Sequence, residues 1–149
     1  MRRRLRLRLL IALGVLVFLA ISFDLARWLS LENVERSDII RLLDAEIRGD
    51  AASMFAQLHD CTPSCRADVR YDATHLRKPG SVEILAYDSG TAYVVTSRTA
   101  FTRVAWKSTR QSLPVVQCVV VARRGNAISG LTVTLLRVSE PIHPTTADC

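Results

Sequence analysis

The chain carries no glycine-rich phosphate loop, no nucleophile elbow and no paired-carboxylate arrangement. The local signatures of nucleotide hydrolysis, serine-hydrolase chemistry and glycoside cleavage are therefore missing. No internal repeat or low-complexity segment occurs, which excludes solenoid and collagen-like architectures. Lysine is scarce: Lys78 and Lys107 are the only two among twenty basic residues. That bias, together with plentiful alanine, resembles the coding of a GC-rich bacterial genome. A basic stripe on the body of the chain is also lacking. Five arginines (Arg2, Arg3, Arg4, Arg6, Arg8) fall within the first eight residues and account for most of the net charge of +6. Nucleic-acid binding needs basic residues spread over a folded surface, so no nucleic-acid partner is expected.

Those arginines precede Leu9–Phe23, fifteen residues without a charge. Two readings compete for this leader. A secretory signal has a basic start, a short apolar centre and a small-residue cleavage site, for which Ala20-Ile21-Ser22 is a poor candidate beside Phe23. A membrane anchor needs about 20 apolar residues. It reaches that length only by counting Leu5 and Leu7, with their neighbouring arginines snorkelling, and extending through Leu25, Ala26 and Trp28. The anchor is preferred, with a lipid bilayer as partner through residues 5–29 and cleavage followed by secretion as the alternative. Under either reading the basic end stays inside, so the chain is expected at the cell membrane as a single-pass protein, with its C-terminal domain outside. The expected division is a leader and anchor over 1–29, an extracytoplasmic domain over 30–138 and an irregular tail over 139–149.

Outside the cytoplasm, an even set of cysteines (Cys61, Cys65, Cys118, Cys149) points to disulfides. Four cysteines allow three pairings. Closing the short Cys61–Cys65 loop contributes about 2 kcal/mol and a long-range bridge roughly 4, whereas proximity during export favours the local pair. The reading leans to Cys61–Cys65 with Cys118–Cys149, and a reach across the fold stays open. In His59-Asp60-Cys61-Thr62-Pro63-Ser64-Cys65, zinc would find three ligands but no second compact Cys/His pair. A redox dithiol would need a Cys-X-X-Cys at a helix start. No metal and no cofactor are expected, and the stretch reads best as a disulfide clip.

Ile40, Leu43 and Ile47 recur at helical spacing, with Glu35, Asp38, Arg41, Asp44 and Arg48 on the solvated face. Ser37 is a candidate N-cap, and a helix continuous with the leader is the alternative. Gly49 ends that helix and Asp50 caps a second one over Ala51–His59. Pro63 then places Cys61–Cys65 in a turn. Ala67, Val69 and Tyr71 alternate with charged residues, predicting a half-buried strand, with a short helix as the rival. Strands follow over Val82–Asp88, Thr91–Ser108, Pro114–Arg124 and Ala127–Val138. A phase change between Tyr93, Val95, Phe101 and Val104, Trp106 predicts a bulge between about Ser97 and Arg103, and Gly130 marks another. Gly125-Asn126 is read as a two-residue hairpin turn. The fold class is α+β, with an N-terminal membrane helix and two short helices packed on a curved antiparallel sheet of four to five strands.

Two amphipathic helices joined through Arg48-Gly49-Asp50-Ala51, the second ending Leu58-His59-Asp60-Cys61, followed by long antiparallel strands, resemble the nuclear transport factor 2-like superfamily over about residues 35–138. The resemblance is to its small membrane-anchored bacterial versions. It implies helices packed into a strongly bent, cone-like sheet, and departs where that superfamily has a further helix, between Cys65 and Gly80. Enzymes of the superfamily use an Asp, Tyr or His inside the cone. Tyr71, Asp72 and His75 are the candidates that the resemblance suggests. On a strand Asp72 would point away from an inward Tyr71, so only Tyr71 is kept, as a candidate pocket residue, and no catalytic residue is assigned. Arg98, Arg103, Lys107, Arg123 and Arg124 read as an exposed sheet surface or a basic patch for anionic lipid or an acidic partner. The function expected is a binding or scaffolding accessory of the cell envelope, with an envelope protein as partner and no catalysis. A ligand-binding or enzymatic cone, with its pocket on the concave face of the sheet, is the alternative.

Overall fold

The computed structural model describes residues 2–91, 96–126, 130–145 and 149, without the side chains of residues 2–7, 24 and 27–29. Three helices precede four strands: α1 (Arg2–Arg48), α2 (Ala51–Gln57), α3 (Pro63–His75), β1 (Val82–Ser89), β2 (Thr96–Ser108), β3 (Val115–Asn126) and β4 (Gly130–Val138). The strands form one antiparallel sheet in the order β1-β2-β3-β4. The α+β class and the antiparallel meander therefore stand, with four strands among the described residues, within the four to five expected.

The N-terminal membrane helix does not. Among the described residues no helix is long and apolar enough to cross a membrane. The uncharged run of fifteen residues spans only about 22 Å at 1.5 Å per residue, against about 30 Å of hydrocarbon. The flanking side chains invoked to lengthen it lie largely outside the described residues. There is also no cap at Ser37: α1 runs unbroken through the junction at residues 29 and 30 to Arg48. From Leu9 to Phe23 its large apolar side chains are exposed, Leu16 and Phe18 by 65% and 68%. Only the C-terminal part of α1 packs on the domain, through Ile39, Leu42, Leu43, Ala45 and Ile47.

Gly49 stops α1 in the left-handed region (φ 72), with its amide donating to the Glu46 carbonyl at 2.8 Å. A Cβ there would stand 2.9 Å from the Ala73 carbonyl oxygen, so the turn demands glycine for space as well as for φ. Asp50 caps α2 by accepting from the Ser53 amide at 3.0 Å.

Residues 63–75 correct the strand reading. Thr62 accepts from the Cys65 amide and Pro63 occupies the first helical turn, where its missing N–H costs nothing. The proline starts a helix instead of only ending one. Burial follows Cys65, Val69, Asp72 and Ala73, a helical stripe, while Ala67 and Tyr71 of the expected alternation are exposed.

In the sheet, Val82, Ile84, Tyr87 and Ser89 of β1 face the helices with Thr102, Val104 and Trp106 of β2, as the register Ile84↔Trp106, Tyr87↔Val104 and Ser89↔Thr102 requires. Val119 and Val121 of β3 and Leu135 and Val138 of β4 complete the inner layer. Register shifts place an extra residue at Leu85 in β1, within Arg124-Gly125 of β3 opposite Ser97, and at Leu136 in β4. The bulge predicted within Ser97–Arg103 is therefore not in β2, whose pairing is regular from Arg98 to Trp106 with Thr102, Val104 and Trp106 buried and Phe101 exposed. Gly130 pairs with Asn126, and the extra residue of β4 is Leu136. Gly125 and Asn126 pair with Leu131 and Gly130, so they belong to the ladder and not to a two-residue turn. The connection falls on residues 127–129, outside the described residues, as do Tyr93 and Val95.

The tail is tied down more firmly than its composition suggests. Ser139 and Ile142 donate their amides to the carbonyls of Cys118 and Val116, extending the line of β4 along β3. Both disulfides are formed as the reading leaned: Cys61–Cys65 and Cys118–Cys149, with Cα separations of 5.4 and 5.7 Å.

Candidate functional site

Chemistry concentrates at two buried polar centres where α1 crosses the sheet. The first is Glu35, read from the sequence as solvated and in fact fully enclosed. Its Oε1 accepts from Tyr87 Oη (2.8 Å), Ser89 Oγ (2.9 Å) and Thr102 Oγ1 (2.7 Å). Its Oε2 accepts from Thr91 Oγ1 (2.7 Å) and from Arg123 Nε (3.2 Å) and Nη2 (2.8 Å). Burial pushes the carboxyl up, but the bonds from Thr102, Thr91, Arg123 and Tyr87 outweigh it and hold it below the ordinary glutamate value. The same surroundings drive the Tyr87 phenol far up, so it is neutral and donates. Arg123 is 1% exposed and Nη1 alone lacks a partner. Every member of the cage has its charge or hydroxyl committed to the interior, which is the signature of a structural centre.

The second centre lies about 16 Å further along α1, at the rise of 1.5 Å per residue. Trp106 Nε1 donates to Gln117 Oε1 (2.6 Å), and Gln117 Nε2 donates to Glu46 Oε1 (2.8 Å) and to the Ser139 carbonyl (3.1 Å). Glu46 Oε2 and both carboxyl oxygens of Asp72, on α3, have no partner. Burial, followed by the neighbouring Asp72, pushes Glu46 up to about 8. Burial, followed by Glu140 and Asp68, pushes Asp72 up to about 7. Both acids are thus poised near neutrality, but both are fully enclosed and neither lines a described cleft.

The residues singled out from sequence fall elsewhere. Tyr71 is 43% exposed on α3, its ring stacked on His75 at 4.0 Å, and lines neither described cleft. Asp72, set aside on strand geometry, is the buried member of that trio. The basic patch is divided. Arg123 is in the core, Lys107 pairs with Glu83 at 3.3 Å, and Arg103 donates to the Pro144 carbonyl at 2.8 Å, leaving Arg98 and Arg124 exposed. No group of three or more His, Cys, Asp or Glu able to hold a metal occurs among the described residues.

Two open clefts are described. One, of about 560 Å³, is lined by Phe55, Leu58, Asp60, Cys61, Arg66 and Arg70. The other, of about 200 Å³, lies beside Asp38, Arg41, Gln57, His59 and Leu135. The second adjoins the Glu35 cage, since Asp38 lies one turn from Glu35 on α1 and Val133 pairs with Arg123, but Glu35 itself lines neither cleft. Comparison with protein-family models, with curated proteins and with solved structures finds no match to the chain.

Proposed function

We propose that the chain is a non-catalytic binding or scaffolding accessory of the bacterial cell envelope, its disulfide-bonded domain lying outside the cytoplasm. The observation that carries this reading is the filled inner face of the sheet. Trp106, Val104, Val119, Val121 and Leu135 pack there against Ile39, Leu42, Leu43 and Met54, and the Glu35 and Glu46 centres on that face are enclosed and line no described cleft. A ligand-binding or catalytic cone needs converging polar groups that are left open to a pocket. The two disulfides support an oxidising compartment. The exposed apolar side chains from Leu9 to Phe23 support contact with lipid within residues 5–29, because a contiguous exposed apolar surface marks a membrane or protein interaction site. Likeness to the nuclear transport factor 2-like superfamily belongs to the same reading. Three helices precede the antiparallel meander, α3 occupying the segment expected to lack one.

Crosslinking in native membranes followed by partner identification tests the proposal. The expected result is sedimentation with membranes, all four cysteines oxidised in place, and a crosslinked envelope protein. Recovery in the aqueous fraction with free thiols, or purification of the chain with a small molecule retained and no crosslinked protein, overturns it.

A further inference from the structure

We propose that the cleft between α2 and α3 is a binding site for a small organic monoanion, a carboxylate joined to a compact apolar body. This goes beyond the scaffolding reading and does not depend on it. The cleft has an apolar floor, half-buried Phe55 and nearly buried Leu58. Above it stand Arg66 and Arg70, four residues apart and so one turn apart on the same flank of α3. That flank lies beside the buried stripe Cys65–Val69–Ala73, and Asp68 occupies the opposite flank, where it is held by Arg137 Nη2 at 2.7 Å.

Neither Arg66 nor Arg70 has a side-chain hydrogen bond or ion pair among the described residues. Other exposed arginines, Arg98 and Arg124 among them, share that state; what sets Arg66 and Arg70 apart is that both line one cleft. Two unspent guanidiniums over an apolar floor are a fork for one carboxylate, each able to donate in pairs. Asp60 at the rim, in the left-handed region that aspartate tolerates (φ 55), reduces the local charge to about one positive unit. A monoanion therefore neutralises the site, whereas a polyanion would leave uncompensated negative charge beside Asp60. The volume, about 560 Å³, lies in the range of small-ligand sites. The Cys61–Cys65 disulfide joins the rim to the first turn of α3 and so fixes the arginines relative to the floor.

The test is titration of the ¹⁵N-labelled full chain with 4-phenylbutanoate, compared with 4-phenylbutan-1-ol and with acetate. Saturable shifts at Phe55, Leu58, Cys61, Arg66 and Arg70 are expected with phenylbutanoate, and at least tenfold weaker binding of both the neutral alcohol and acetate. Arg66→Gln/Arg70→Gln should weaken phenylbutanoate at least tenfold while both disulfides and the thermal midpoint are kept, and Phe55→Ala should weaken it with the fold intact. Equal binding of the alcohol, shifts confined to Leu9–Phe23 of α1, or an undiminished affinity in the double arginine variant overturns the proposal. Tighter binding of an end-capped glutamate-containing peptide at the same residues overturns the small-molecule assignment.

Discussion

Replacing Glu35 by glutamine keeps the side-chain shape and removes the charge that six donors converge on. The hydroxyls of Ser89, Thr91 and Thr102 can turn to other acceptors, as Ser89 and Thr91 already lie 3.1 Å apart. Arg123 cannot: it is 1% exposed, cannot lose its proton, and would face an amide N–H or a single neutral oxygen. Leaving one partner of a buried pair uncompensated costs about 3–5 kcal/mol. With an m-value of about 1–3 kcal/mol/M, the urea midpoint should fall by roughly 2 M. Unfolding is followed by tryptophan fluorescence, since Trp106 is fully buried. The double variant Glu35→Leu/Arg123→Leu removes both charges and should recover much of the loss. The sign with pH follows from the depressed folded value of Glu35. Its contribution is present above the unfolded value and is lost as pH falls through the folded one, so the wild-type chain should show an acid-side loss of stability that Glu35→Gln lacks. A Glu35→Gln midpoint within about 0.3 M of wild type, a difference of under 1 kcal/mol at that m-value, would refute the cage as a stabilising centre.

The second centre should respond in the opposite direction. Glu46 and Asp72 are raised to about 8 and about 7, so the folded state holds protons the unfolded chain has released, and stability should fall as pH rises from about 4.5 to 8. The slope is up to about 1.4 kcal/mol per pH unit per carboxyl; urea midpoints at pH 5 and pH 8.5 measure it, and Glu46→Gln should flatten it. The two disulfides should differ in weight. Opening the 31-residue Cys118–Cys149 separation should cost about 4 kcal/mol and opening Cys61–Cys65 about 2, compared by unfolding the Cys118→Ser/Cys149→Ser and Cys61→Ser/Cys65→Ser variants.

Element type was legible wherever local chemistry and burial agreed. Gly49 and Asp50 punctuate the first two helices as their residue types require, and the β-branched run of β3, buried along most of its length, and the apolar alternation of Leu131, Val133 and Leu135 in β4 are strong enough to be read unaided. It failed at Ala67–Tyr71, where period-two polarity was produced by exposed residues. Burial of Cys65, Val69 and Ala73 against α1 and α2 decided the outcome, with Thr62 and Pro63 supplying the helix start. The leader was misjudged for a different reason. Its uncharged run is shorter than a hydrocarbon core, and the lengthening relied on side-chain orientations that composition does not fix.

The polar centres were missed because charge was taken as a sign of solvent, although position already pointed inward. Glu35, Ile39, Leu42 and Glu46 succeed one another at spacings of four, three and four, so both glutamates lie on the buried stripe of α1. Gln117, Val119, Val121 and Arg123 share one parity of β3, so Gln117 and Arg123 must face the same layer as the valines. One helix stripe and one strand face each carry two polar residues, and the fold pairs them end for end: Glu35 with Arg123, Glu46 with Gln117. Shifting α1 on the sheet by one turn would bury four unmatched polar groups at once. The apolar contacts among Ile39, Leu42, Val119 and Val121 tolerate such a slip far better, since they have no directional demand. The two centres therefore fix the register of α1 on the sheet. The apolar layer between them supplies the burial that holds it there.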